Sequence, residues 1–387
     1  MDVHYYFNAV SFSGIQDRNY LKDKYSLGYL IEKNTSEFSS ANNVPVQIVL
    51  IGVPFDEKTP NKGSSQAPDQ IRQFLYPLSA FNAKLRIIDL GNIKKGKSGS
   101  DIYFAVRDVV DYFNDIGAVS IVIGGGQDIS VGVARAFSHE TYFQIAAVDP
   151  AIDMISGREP FSSKNYISKV LKENPQVFNI SFIGFQSYFV SQKIFRIVRE
   201  NDFDTLRLGQ VREKIAELEP VLRNSHFVSF DFSSIRAQDA PGCHGGSPNG
   251  LYSEEACQVA RYAGISSNLK VFGLFEVNPP KDELNLSSKL AAQVIWYFIE
   301  GFLNRRNENP LKDAADFTEY NVKLNDSENP LVFYRHNFTN RWWMQLEGPR
   351  KKKLTIACSE ADYKLASANE IPGRWLKYIR KIDRLSK

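Results

Sequence analysis

Three stretches of this 387-residue chain hold acids at spacings that could do chemistry: Gly124-Gly125-Gly126-Gln127-Asp128, Asp149-Pro150-Ala151-Ile152-Asp153 and Ser229-Phe230-Asp231-Phe232-Ser233. Where a chain leaves a sheet, two acids spaced like Asp149 and Asp153 can both turn toward one point. Asp231 and Ser233 share a face by the two-residue period of extended chain. The glycines before Gln127 let the backbone come close and turn. Oxygens from Gln127, Asp149, Asp153 and Asp231 converging this way would suit a hard divalent cation, Mn²⁺ or Mg²⁺, rather than zinc or copper. Without an ion, such carboxylates repel one another and at least one tends to take up a proton. Asp128 reads differently, as an acid that positions the loop before a helix starting at Ile129.

Each acidic stretch follows a short apolar run of the kind that forms a buried parallel strand. Strands are predicted at Val46–Ile51, Leu85–Leu90, Val119–Ile123, Phe143–Val148, Ile180–Phe185, Phe227–Phe230 and Val271–Phe275. Helices are predicted between them at Ala67–Tyr76, Asp101–Ile116, Ile129–Phe137, Asn165–Glu173, Ser191–Arg199, Ser253–Ser266 and Ser287–Arg305. This alternation implies a three-layer α/β domain, its mainly parallel sheet covered on both faces. In such a sheet the site lies at the carboxyl ends of the strands. The polar stretch Arg305-Arg306-Asn307-Glu308-Asn309-Pro310 marks a boundary, giving an N-terminal segment over 1–44, a main domain over 45–310 and an extension over 311–387.

A hydrophobic content of 43% and a charged content of 24% are those of an ordinary soluble protein. The first residues lack a basic, apolar leader pattern. No stretch approaches the apolar length of a membrane span. Cys243, Cys257 and Cys358 have neither disulfide-framework nor zinc-finger spacing, so a cytoplasmic location is expected. Cys243 and His244 are neighbours in sequence, but adjacency does not give the facing geometry of a nucleophile and its base. The segment from Arg341 to Lys387 carries twelve Lys/Arg against five Asp/Glu. Its charge and its tryptophans, Trp342 and Trp343, could meet nucleic acid, but packing of the extension on the main domain is the expected role.

The acidic stretches resemble the signature of the ureohydrolase family of arginases, agmatinases and formimidoylglutamases, in which Gly-Gly-Asp/Gly-His-Asp, Asp-Ala-His-x-Asp and Ser-x-Asp-x-Asp-x-x-Asp-Pro follow in order. Ile51-Gly52-Val53-Pro54-Phe55-Asp56, Ala67-Pro68-Asp69-Gln70-Ile71-Arg72 and Ala240-Pro241-Gly242 resemble flanking segments, and Glu276-Val277-Asn278-Pro279 resembles the string whose glutamate grips the substrate's guanidinium. The resemblance spans about residues 45–305 and implies the arginase-like fold. It also implies two Mn²⁺ ions held by two histidines and four aspartates, bridged by the attacking hydroxide.

Carried over position by position, Asp149, Asp153 and Asp231 match three of the aspartates. Gln127 stands at the first histidine, Ala151 at the second, Ser233 at the fourth aspartate, and Arg236 where the family has a further acid. No histidine lies between His139 and His226 to match the family's proton-shuttling loop histidine. An intact two-manganese centre is therefore not expected. One Mn²⁺ or Mg²⁺ could be held weakly by Asp149, Asp153, Asp231 and the Gln127 carbonyl, and Arg236 could compensate for a missing cation.

Two functional expectations follow. In the first, the chain is a catalytically impaired or inactive ureohydrolase relative retained to bind a small guanidino or amidino ligand, or a protein partner through residues 311–387, with self-association open. In the second, it is an amidine or guanidine C–N hydrolase of the formimidoylglutamase or agmatinase type, using a single ion at Asp149, Asp153 and Asp231, with Asp149 and Asp231 as catalytic residues and Glu276 orienting the amidinium. Neither requires a membrane or nucleic acid.

Overall fold

The computed structural model describes residues 3–11, 19–33, 45–154, 158–325, 329–348 and 352–385; much of the 1–44 segment lies outside them. Fourteen strands form two sheets among the described residues. The larger sheet contains β1 (Phe7–Asn8), β2 (Glu32–Lys33), β3 (Ile48–Val53), β4 (Ile87–Ile93), β5 (Val119–Gly124), β6 (Phe143–Val148), β7 (Val177–Ile183), β8 (Asp204–Leu206), β9 (Phe227–Asp231) and β10 (Val271–Phe275). Its order is β1-β4-β3-β5-β10-β9-β6-β7-β8, with β2 pairing β4, and every pairing is parallel except β1 with β4.

All seven predicted strands are present, with ends shifted by a few residues. The short β1, β2 and β8 lacked enough chain to show a period.

Alternation along the strands divides the core in two. Ile48, Leu50, Ile121, Ile123, Val228, Phe230 and Leu274 face one apolar layer, where α2 (Ala67–Leu75), α9 (Ser253–Ile265) and α10 (Leu286–Leu303) pack; α1 (Leu27–Leu30), α7 (Leu208–Glu213) and α8 (Leu218–Asn224) add to it. Val49, Ile51, Val122, Ile145, Ala147, Phe182 and Phe275 face the other, filled by α3 (Asp101–Asp115), α4 (Ser130–Arg135), α5 (Tyr166–Glu173) and α6 (Gln192–Glu200). This is the expected three-layer arrangement.

One buried ion pair ties α2 to the sheet. Arg72 donates from Nε to Asp89 Oδ2 at 2.8 Å and from Nη2 to Asp89 Oδ1 at 2.9 Å, and Tyr76 adds its hydroxyl to Asp89 Oδ2 at 2.8 Å. The bidentate geometry satisfies both charges away from water.

The extension is a small α+β unit: an antiparallel sheet of β11 (Phe317–Val322), β12 (Leu331–His336), β13 (Trp342–Glu347) and β14 (Lys353–Cys358), followed by α11 (Glu360–Ser367) and α12 (Gly373–Leu385). One face of the sheet buries Phe333, Trp342, Met344 and Ile356 against Tyr378 and Ile382 of α12. On the other, the Arg223 guanidinium of α8 lies 4.0 Å from the Trp343 ring centroid. Asn224 satisfies the edge strand β14, accepting from Ala357 N at 2.8 Å and donating to Ala357 O at 3.0 Å.

The basic side chains of α12 are engaged inside the molecule. Lys377 pairs with Asp204 at 3.0 Å, Arg384 with Asp202 at 2.6 Å, Lys381 meets Asn179, and the Tyr378 hydroxyl donates to Gln144 at 2.7 Å. Gln144, Asn179 and Asp204 sit toward the amino ends of β6, β7 and β8, so the extension docks at the end of the sheet opposite the acidic stretches.

Candidate functional site

Four adjacent central strands, β5, β10, β9 and β6, deliver Gln127, Glu276, Asp231 and the Asp149/Asp153 pair from their carboxyl ends. In the chain β5 and β6 are consecutive, but in space β10 and β9 lie between them. That insertion draws residues 127 to 276 into one place. Ligand oxygens of Asp149, Asp153 and Asp231 lie within 4.8 Å of one another, a spacing that can hold a metal ion. All three acids are buried, at 2%, 5% and 0% exposure.

Local backbone fixes two of them. Asp149 Oδ1 accepts from Ala151 N at 2.8 Å and Asp231 Oδ1 from Ser233 N at 2.7 Å, each carboxylate closing its own turn. Asp153 Oδ2 and Ser233 Oγ are buried and accept or donate no hydrogen bond within the protein. Burial, together with the charges of Asp153 and Asp231, pushes the Asp149 carboxyl well above the usual range. Burial raises Asp153 to about 6, with Lys164 opposing and Asp231 reinforcing.

Gln127 sits on a floor of hydroxyls. With its amide nitrogen inward, it donates to Asp149 Oδ2 at 2.9 Å and Asp231 Oδ2 at 3.3 Å, while its oxygen accepts from Ser229 Oγ and Tyr166 Oη at 3.2 Å each. With the oxygen inward, Nε2 donates to those same two hydroxyls. In that orientation the oxygen faces carboxylates, which a cation between them or a proton on one of them makes favourable. The turn carrying Gln127 requires a bare backbone, because a Cβ on Gly125 would fall 2.1 Å from Phe55 O.

Glu276 closes the site from β10. Its φ of +66° lies in the left-handed region that non-glycine residues rarely adopt. The surroundings hold it there: Glu276 N donates to Gly125 O at 2.8 Å, and Asn61 Nδ2 to Glu276 O at 2.8 Å. Gln127 N donates to Oε1 at 2.8 Å and Thr59 Oγ1 to Oε2 at 2.9 Å. Burial, and then the Asp231 charge, raise this carboxyl to about 7.

The cation that faces the cluster is Lys164, not Arg236. Lys164 Nζ lies 3.7 Å from Asp153 Oδ2 and 3.9 Å from Asp231 Oδ2. Arg236 pairs instead with Asp239 at 2.9 Å and stacks on Tyr252, its guanidinium 4.3 Å from the ring centroid. The expectation that Arg236 compensates the cluster is therefore corrected: an acid three residues further along captures the guanidinium locally. Lys164, Thr59 and Tyr166 were not foreseen. Lys164 lies just before the helix predicted at Asn165, and no periodicity shows that its turn folds back onto the loop that carries Asp153.

The remaining candidates are structural. Asp128 accepts the Tyr103 hydroxyl at 2.6 Å, tying its loop to α3, and burial raises its carboxyl to about 6. Cys243 is buried, and His244 Nδ1 instead lies 3.4 Å from Lys281 Nζ.

A parallel α/β sheet with carboxylates gathered at its central strand ends places these acids where open α/β sheets build their binding sites. The arginase family model matches residues 46–300, and the chain belongs to that family. The formimidoylglutamase of Bacillus subtilis is 25% identical over 277 residues, covering 65% of this chain and 86% of that one. The formimidoylglutamase of Photorhabdus laumondii is 22% identical over 268 residues, 64% of this chain and 84% of that one. The crystal structure of Trypanosoma cruzi formiminoglutamase with Mn²⁺ superposes with a TM-score of 0.64 at 26% identity, covering 70% of this chain and 98% of that one. The match ends near the close of α10, so the extension lies beyond it. Among the described residues no helix is long and apolar enough to cross a membrane.

Proposed function

We propose that this arginase-family chain recognises a small linear amidine or guanidine at the Asp149/Asp153/Asp231/Glu276 site, and that it does so without a two-manganese centre. The observation that carries this reading is the donor set. Ala151 offers no side-chain ligand, Ser233 replaces a carboxylate with a neutral hydroxyl, and Gln127 replaces an imidazole with an amide that can donate to Asp149 and Asp231. A second ion would have only shared acids to bind, and the combined charge that sharpens water into a nucleophile would be missing. Glu276 supplies the recognition element, a carboxylate complementary to a planar cation.

A second reading has its own support. The formimidoylglutamases of Bacillus subtilis and Photorhabdus laumondii align with about two thirds of this chain, and a solved relative is a formiminoglutamase with Mn²⁺. These names speak for an active amidine C–N hydrolase more than for an inactive one. In that reading Asp149, Asp153, Asp231 and the inward oxygen of Gln127 would hold one Mn²⁺ or Mg²⁺, which supplies positive charge to a bound water. Glu276 would orient the amidinium, and Lys164 would have to withdraw.

Release of ammonia, formamide or urea from formimidoylglutamate, agmatine and arginine, with and without Mn²⁺, decides between them. No turnover together with calorimetric binding of one of these cations upholds the first reading. Mn²⁺-dependent turnover abolished by Asp231→Ala establishes the second.

A protein partner on residues 311–387 and self-association belong to the same proposal. The supporting feature is a cleft of about 680 Å³ between extension and main domain, lined by Glu219, Arg223, Arg261, Arg335 and Arg341. The three free, buried cysteines fit a reducing cytoplasm.

A further inference from the structure

The acids at the strand ends are met by a charge from the protein itself. Lys164 lies in the single 3-10 turn Ser163–Asn165 that leads into α5. That turn is pinned on both sides. Ser162 N donates to Asn165 Oδ1 at 3.0 Å, Asn165 Nδ2 to Pro160 O at 2.8 Å, and Ser163 N to Lys58 O at 2.8 Å, next to the residue whose hydroxyl holds Glu276. Ile167 N donates to Asp153 O at 3.2 Å, coupling the turn directly to the acidic loop. The Lys164 side chain keeps 42% of its surface exposed, while the Asp153 and Asp231 side chains it reaches are 5% and 0% exposed. It therefore reaches from a partly exposed position into the buried cluster, its ammonium within 4 Å of two carboxylates.

We propose that Lys164 is a tethered cation that stands where the arginase family places its metal ions, and that together with the Gln127 amide it closes the Asp149/Asp153/Asp231 cluster to divalent cations. An ammonium within 4 Å of two of the three acids and a divalent ion among those acids repel each other strongly, so the two occupants exclude one another. The Gln127 amide follows the occupant, nitrogen inward with lysine and oxygen inward with a metal. The charges of Asp153, Asp231, Asp149 and Glu276 all act to keep the Lys164 ammonium protonated, Asp153 most. Among the described cations no arginine takes this place, since Arg236 is held by Asp239.

This inference deepens the metal-poor reading of the same site, and a metal titration without substrate tests it separately. The full chain, stripped with EDTA, is titrated with Mn²⁺ and the free-ion EPR signal is followed for wild type, Lys164→Met and Lys164→Arg. Lys164→Met is expected to bind Mn²⁺ roughly tenfold or more tightly than wild type, a shift of about 1.4 kcal/mol. Lys164→Arg, which keeps the charge, is expected to stay near the wild-type affinity. Equal affinity in wild type and Lys164→Met, or tight stoichiometric Mn²⁺ in wild type, overturns the proposal. Should Lys164→Met not fold, wild-type melting carries the test: a midpoint unmoved by Mn²⁺ upholds the tether and a raised one overturns it. A tether upheld in a protein that binds no amidine would leave this inference standing and remove the proposed function.

Discussion

Asp153→Asn tests the electrostatics of the site by a change in sign. Asp153 is 5% exposed, accepts no hydrogen bond at Oδ2, and shares its space with Asp149 and Asp231. Its carboxyl is raised from 3.8 to about 6. A carboxylate raised on folding costs nothing below its unfolded pKa, and the cost grows as pH rises through the folded value. At about 1.4 kcal/mol per pKa unit, ionised Asp153 destabilises the folded state by about 3 kcal/mol near pH 7.5 and about 1 kcal/mol near pH 4.5. Asparagine keeps the shape without the charge, and Lys164 retains Asp231 at 3.9 Å as a partner. The variant should therefore melt higher than wild type by about 3–6 °C near pH 7.5 in EDTA, with a smaller gain near pH 4.5. Circular dichroism melts at both pH values measure this directly. A variant less stable than wild type near pH 7.5 in EDTA would refute the reasoning, because the attraction of Lys164, 3.7 Å away, would then outweigh the cost of burying the Asp153 charge beside Asp149 and Asp231.

Glu276 gives a pH dependence of opposite consequence. With its carboxyl raised to about 7, the form that attracts a cationic amidine is mostly lost below neutrality, so affinity should fall roughly tenfold from pH 8 to pH 6; calorimetry should show this in wild type and not in Glu276→Gln. Arg72→Met leaves Asp89 buried and unpaired, and guanidinium chloride unfolding should show a loss of about 3–5 kcal/mol. Arg223→Ala removes the guanidinium that stacks on Trp343 and donates to Trp342 O, for an expected loss of about 3 kcal/mol. Limited proteolysis should then cut residues 311–387 first, with ligand binding at the distant acidic cluster unchanged.

Apolar runs of five to seven residues, alternating with amphipathic stretches, were enough to place the parallel strands β3, β4, β5, β6, β7, β9 and β10 and the main helices, because strand and helix periods are local properties of the chain. Asp149, Asp153 and Asp231 were legible as candidates because each stands at or just past the end of a predicted strand and a parallel sheet aligns those ends, whereas Glu276 was singled out by its resemblance to the Glu-Val-Asn-Pro string. The role of Arg72 was not legible, since it lies on α2 and its partner Asp89 on β4. The extension showed its composition but not its docking, because the acids that receive α12 lie in a three-residue strand (Asp204) and in the turn before it (Asp202).

What the sequence determined by itself was the fold class and the loss of imidazole and carboxylate at positions 127, 151 and 233. What only the tertiary structure decided was which charge answers the acids that remain. Arg236 is near Asp231 in sequence, yet its closest acid in space is Asp239; Lys164 is 67 residues from Asp231, yet it reaches within 3.9 Å. Charge pairing falls steeply with distance in space and is blind to separation along the chain, so the partner is chosen by the path of a loop.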